Sequence, residues 1–251
     1  KPSGRKANAL GCVSKRQRRA PSVTDLIIHI GLPKCGSTSI QRFFAGYRGY
    51  LGRGASDERA NNFCTDLLRA SHANRLGGLN KLRLHRWCDR VQERIGDHPL
   101  GAAPLVISSE VFSKTGKRGY AQMLEFLEAL ARMWPNGALK VMLTIRAQAA
   151  KIASEYAQGS ARRFNASQID FERYVERRVR QSDLDYDDLI SDLESIVDVS
   201  GVHVSLLEDI GEQHFWHSMI DFCGLTGDLE PDALAGRMNR KSLGAQRWKI
   251  R

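Results

Sequence analysis

Apolar residues recur along this chain in two rhythms. Four short stretches are nearly continuous in them: about 25–30, 104–110 ("PLVISSE"), 138–146 ("ALKVMLTIR") and 202–208 ("VHVSLLE"). Runs of this length, bounded by turn residues and polar positions, predict buried strands. Elsewhere apolar residues return every three or four positions. That spacing predicts helices from Thr38 to about Tyr47, at about 57–71, 80–96 and 119–133, and through Ser154 and Tyr156 after the third strand. Three more are predicted at about 168–181, 183–197 and 212–223. In the 119–133 segment the apolar face is Tyr120, Met123, Leu124, Leu127, Leu130 and Ala131, and Pro135-Asn136-Gly137 closes it. Strands of this kind alternating with helices predict a parallel sheet covered on both faces. The expected class is α/β: a three-layer α/β/α domain with a mostly parallel central sheet and a mostly helical insertion.

Composition narrows this little. The 251 residues are 42% apolar and 26% charged, an ordinary globular balance. No run of eighteen apolar residues occurs, so no membrane-spanning helix is expected. The chain starts at Lys1 with no hydrophobic leader pattern. Five scattered cysteines without a C-x-x-C predict no disulfide framework and a reducing, cytoplasmic setting. Asn165-Ala166-Ser167 has glycosylation-acceptor spacing, a pattern too short to carry weight.

Charge changes the picture more. Residues 1–20 hold seven cations and no acid, leaving only +3 of the +10 for the other 231 residues. The expected division is therefore a basic, solvated tail over 1–20 and a single α/β domain over 21–251. The body is too weakly basic to predict a nucleic-acid partner.

The candidate chemistry lies where the first strand ends, in "IHIGLPKCGSTSIQ" (28–41). A strand, a Gly/Pro turn and a Ser/Thr-led helix make a P-loop-like anion site. Gly31 and Gly36 have the spacing of the ATP-binding pattern G-x-x-x-x-G-K-[ST], and Thr38 fills its last position. Ser37 occupies the lysine slot, however, and the lysine is Lys34, inside the loop.

This loop resembles that of the sulfotransferases that use 3′-phosphoadenosine 5′-phosphosulfate (PAPS). Their first loop is of the type P-K-x-G-[ST]-[ST], and this chain has Pro33-Lys34-Cys35-Gly36-Ser37-Thr38, followed by Ser39. Their second signature is an Arg ending a later strand with a Ser eight residues on. Here Arg146 ends "VMLTIR" and Ser154 follows at that distance. "VHVSLLEDI" and "FWHSMIDFCGL" also look like the family's late strand and following helix. The likeness covers roughly residues 24–225 and leaves the tail and the helices between 50 and 100 unexplained.

The resemblance implies a sulfuryl transfer from PAPS to an acceptor hydroxyl, on a glycan or a small molecule, with adenosine 3′,5′-bisphosphate as product. It implies that residues 33–39 wrap the 5′-phosphosulfate and that Arg146 and Ser154 read the 3′-phosphate. Arg240 and Lys241 in "NRKSLG" are a looser match to a basic loop that closes that pocket. The acceptor side should come from the helical segments about 50–100 and 156–185. Neither the acceptor nor the oligomeric state follows from the likeness.

The residue types suit this chemistry. Main-chain N–H groups from about Cys35 to Ser39 and the positive end of a helix form an anion cradle. Charge grows on the bridging oxygen as the leaving group departs, and Lys34 is placed to stabilise it. No metal is called for. Glu110, closing "LVISSE", is the expected base for the acceptor proton, with His29 on the first strand as the competitor. His85 with Cys88, and His214 with His217, lack partners for a zinc site, and Trp87 and Trp134 are expected in the core. Two other function classes fit parts of the chain. An ATP- and Mg²⁺-dependent kinase would share the fold, and a non-catalytic polyanion-binding module would use the tail.

Overall fold

The computed structural model describes residues 25–52, 66, 80–97, 103–110, 112, 120–134, 137–160, 167–180, 184–197 and 201–225. Four strands form one sheet: β1 (Leu26–Gly31), β2 (Leu105–Ser109), β3 (Leu139–Ile145) and β4 (Val202–Leu206). Their order is β2-β1-β3-β4, and all three pairings are parallel. Every residue of β1 is buried, because it has a strand on each side and helices on both faces. That is why "LIIHIG" lacks the alternation of a half-solvated strand.

Seven helices surround the sheet among the described residues: α1 (Ser37–Phe44), α2 (Asn80–Asp97), α3 (Ala121–Met133), α4 (Gln148–Ser160), α5 (Gln168–Val179), α6 (Tyr186–Val197) and α7 (Gln213–Cys223). Alternate residues of β1 separate two cores. Ile28 and Ile30, with Ile107, Val141 and Leu143, pack against Trp87 of α2, Leu127 of α3 and Leu193 of α6. Ile27, Val106 and Met142 pack against Ile40 and Phe44 of α1 and against Trp216 and Met219 of α7. Each such side chain, fully buried, contributes about 1.5–3 kcal/mol. The three layers expected from the sequence are therefore present. Trp87 and Trp134 lie in the first core with ring centroids 6.1 Å apart.

Among the described residues, element boundaries fall within about three residues of the sequence expectation. The fourth strand stops at Leu206, and Leu207–Asp209 turn into a 3-10 helix. Ser167, the third residue of the glycosylation pattern, instead caps α5, its hydroxyl accepting from the Asp170 N–H at 3.2 Å. The basic tail, the segment holding Arg240 and Lys241, and nearly all of the helix expected at 57–71 lie outside the described residues.

The topology itself marks a place for a ligand. From β1 the chain goes on to β2 on one side, and from β3 it goes on to β4 on the other. The crevice beyond the carboxyl ends of β1 and β3 is the switch point at which open α/β sheets bind ligands.

Candidate active site

The loop after β1 is shaped by a tight turn. The Cys35 N–H donates to the Leu32 carbonyl at 3.1 Å, with Pro33 and Lys34 in the two central positions. Lys34 has φ 65°, the only positive φ at a non-glycine among the described residues. Pro followed by a positive-φ residue is the chemistry of a type II turn, where glycine is the usual third residue. Placing a lysine there costs on the order of 1–2 kcal/mol. Backbone strain held at a loop of this kind is the sort that clusters at functional sites.

Gly36 follows with φ 75° and forms the N-cap of α1. A Cβ on Gly36 would collide with Leu207 Cδ1 and press on Ile210 Cδ1 at 3.3 Å. The turn after β4 thus packs directly onto the loop. Gly31 is needed for another close approach, since a Cβ there would stand 2.7 Å from Ser37 Cβ and 3.3 Å from Glu110 Cγ.

The main-chain N–H groups from Cys35 to Ser39 are not all uncommitted. Cys35 spends its N–H on Leu32, and the Ser39 N–H donates to the Gly36 carbonyl at 2.9 Å. The N–H groups of Gly36, Ser37 and Thr38 are left with no backbone acceptor among the described residues. These are the first orphan donors of a helix and carry the positive end of its dipole. The side chains divide similarly. Thr38 is exposed and Lys34 and Ser39 are half-buried, whereas Cys35 and Ser37 are buried. The Ser37 hydroxyl donates to Glu110 Oε1. Ser37 therefore keeps its N–H off any backbone acceptor among the described residues, while its hydroxyl fixes the carboxylate at the end of β2.

Arg146 enters from the neighbouring strand. Its Nη1 donates to the Lys34 carbonyl at 3.4 Å, and its Nε stands 4.0 Å from Glu208 Oε1. Glu208 also accepts from the Ala147 N–H at 3.2 Å, just ahead of α4. The Tyr186 hydroxyl donates to the Arg146 carbonyl at 3.1 Å. One arginine is thus tied to the β1 loop, to the turn after β4 and to the start of α6, with its side chain still 28% exposed. Ser154 is half-buried two turns into α4. The sequence pairs Arg146 with Ser154; in the structure Arg146 directly follows β3, two residues ahead of α4, and Ser154 lies within α4.

His29 is not placed to act as a base. It is fully buried, with Nδ1 2.6 Å from Ser108 Oγ and Nε2 3.3 Å from Thr144 Oγ1, bridging β2, β1 and β3. Burial, and secondarily the charge of His203, push its pKa down to about 3. Cys35 is no nucleophile in this state, because burial raises its thiol to about 11 despite the nearby charges of Lys151 and Arg146. Among the described residues no group of three or more His, Cys, Asp or Glu converges as a metal site.

Two charged residues escaped the sequence reading. Glu208 fixes both Arg146 and the start of α4, and Lys151 is a wholly buried cation on α4. A sequence signal for the latter exists: Lys151 and Glu155 are the only charged residues in the small, apolar segment 148–160.

No family model matches the sequence, and no curated protein matches it. Among solved structures, a sulfotransferase from Alicyclobacillus acidocaldarius is similar, with 13% identity and a TM-score of 0.47 over 85% of this chain and 83% of that one.

Proposed function

We propose that this chain is a sulfotransferase that moves the sulfuryl group of PAPS to a hydroxyl of a glycan or small-molecule acceptor, releasing adenosine 3′,5′-bisphosphate. The observation that carries the reading is the hydrogen bond from Arg146 to the Lys34 carbonyl. It joins the two segments whose motifs carry the resemblance, 112 positions apart, beyond the carboxyl ends of β1 and β3.

In this reading the N–H groups of Gly36, Ser37 and Thr38 hold the 5′-phosphosulfate. Arg146 and Ser154 hold the 3′-phosphate, with Arg240 and Lys241 completing that pocket. The sulfuryl S–O bridge breaks ahead of formation of the new S–O bond, so negative charge builds on the departing phosphate oxygen. Lys34, lifted from the loop by its turn, stabilises that oxygen. Preorganised donors of this kind are worth about 2.7–4 kcal/mol each. Glu110 takes the acceptor proton, its carboxylate steadied by Ser37. The unactivated Cys35 thiol favours direct transfer to acceptor over a sulfated enzyme.

Calorimetry tests this. Adenosine 3′,5′-bisphosphate should bind at micromolar concentration or below, and ATP with Mg²⁺ should not. The opposite pattern would replace this reading with a kinase. Loss of all function on deleting residues 1–20 would favour a polyanion-binding module.

A further inference from the structure

Lys151 has no part in the chemistry above, yet its position is unusual. It is 1% exposed, although most other described residues of its helix α4 are exposed or half-buried. Lysines on helices ordinarily bury their stems and carry the ammonium out to water. This one turns inward, its Nζ 5.5 Å from the Tyr186 ring centroid. Tyr186 in turn donates its hydroxyl to the Arg146 carbonyl at 3.1 Å. On the loop side the Lys151 charge reaches Cys35, between the strained Lys34 and the capping Gly36.

Taking an ammonium out of water is costly. Glu155, one turn further along α4, is already held by Arg178 at 3.1 Å and by the Tyr174 hydroxyl at 3.2 Å. Removing the Lys151 charge would therefore leave that carboxylate with its partners.

We propose that Lys151 is a positioning residue for the anion site: a buried cation behind the β1 loop that strengthens oxyanion binding there and, through Tyr186, holds Arg146 in place. The inference rests on the reading that the loop and Arg146 bind a phosphate-bearing donor. A buried charge acts across low-dielectric surroundings, so it reaches an anion it never touches.

The test uses the full chain, calorimetry with adenosine 3′,5′-bisphosphate and with pyrophosphate, and thermal unfolding without ligand. Lys151→Met should bind both ligands about ten- to thirty-fold more weakly. The unfolding midpoint reports separately on the fold, and Lys151→Arg should keep it near wild type. Lys151→Arg should recover most of the lost affinity. Unchanged binding by Lys151→Met would overturn the proposal. So would affinity and midpoint falling together with no recovery in the arginine variant. If the methionine variant does not fold, Lys151→Gln supplies the same two readings. A wild-type protein that binds pyrophosphate but not the bisphosphate removes the nucleotide reading and leaves the lysine to be decided by the pyrophosphate arm. One that binds neither overturns both.

Discussion

Ser37 and Glu110, 73 positions apart, are joined by a hydrogen bond in which the serine hydroxyl donates to the carboxylate. The bond closes the gap between the helix behind the anion loop and the end of β2, and Gly31 leaves the room for it. It makes the expected base part of the loop's own scaffold.

Glu110→Gln should keep that scaffold, because the amide oxygen can still accept from Ser37. Bisphosphate binding is then expected to hold, while turnover falls by about 10²–10⁴, the usual weight of general-base catalysis. Side-by-side calorimetry and turnover assays with labelled donor check this. Near-normal turnover would remove Glu110 as the base.

Lys34 carries two roles that substitution can separate. Lys34→Ala keeps a Cβ in the left-handed turn and should lower the transfer rate by about 10²–10³. Bisphosphate affinity should barely change, since that ligand lacks the sulfuryl bridge. Lys34→Gly should show the same kinetic loss but a fold as stable as wild type or up to about 1 kcal/mol more so, because glycine relieves the φ of 65°. Equal losses of rate and bisphosphate affinity would refute the assigned role.

Arg146→Lys removes the planar fork while keeping charge. Bisphosphate should bind about ten- to a hundred-fold more weakly, in line with a charge-assisted hydrogen bond lost. Adenosine 5′-phosphate, which has no 3′-phosphate, should bind variant and wild type alike. A parallel loss with both nucleotides would place Arg146 elsewhere than at the 3′-phosphate.

His29 predicts an acid limb in stability. Its folded pKa of about 3 lies below the ordinary 6.5, so between those values the unfolded chain takes up a proton that the folded one excludes. Stability is therefore complete above about 6.5 and declines as pH falls through that window towards about 3. His29→Gln, which can still bond Ser108 and Thr144, should flatten the limb in urea unfolding at pH values inside and above the window. It should leave turnover near wild type. Burial also lowers the pKa of His203, so a residual slope of the same sign should persist.

The elements of the fold were legible because each rests on local patterning. "LIIHIG" reads as a fully buried strand from its own residues, and Pro33 with the glycines announces the turn that follows it. Lys34, Arg146 and Glu110 were placed by motif and element end, and the structure brings Arg146 to the Lys34 carbonyl and Glu110 to Ser37. What stayed hidden depends on the meeting of distant segments. Nothing near His29 in sequence says that Ser108 and Thr144 will enclose it. Glu208 reads as the tail of a strand until the chain bends at Leu207 and aims the carboxylate at Ala147. The periodicity of α4 likewise does not show that its inward face holds a lysine.

The packing of Leu207 and Ile210 against Gly36 has a consequence for when the protein becomes competent. The wall that gives the first loop its contour arrives some 170 residues later in synthesis, an interval that follows from those positions. Contacts so remote in sequence form late, after their loop-closure cost has been met. A growing chain would thus carry its lysine and glycines early and yet lack a finished cradle until the fourth strand has docked.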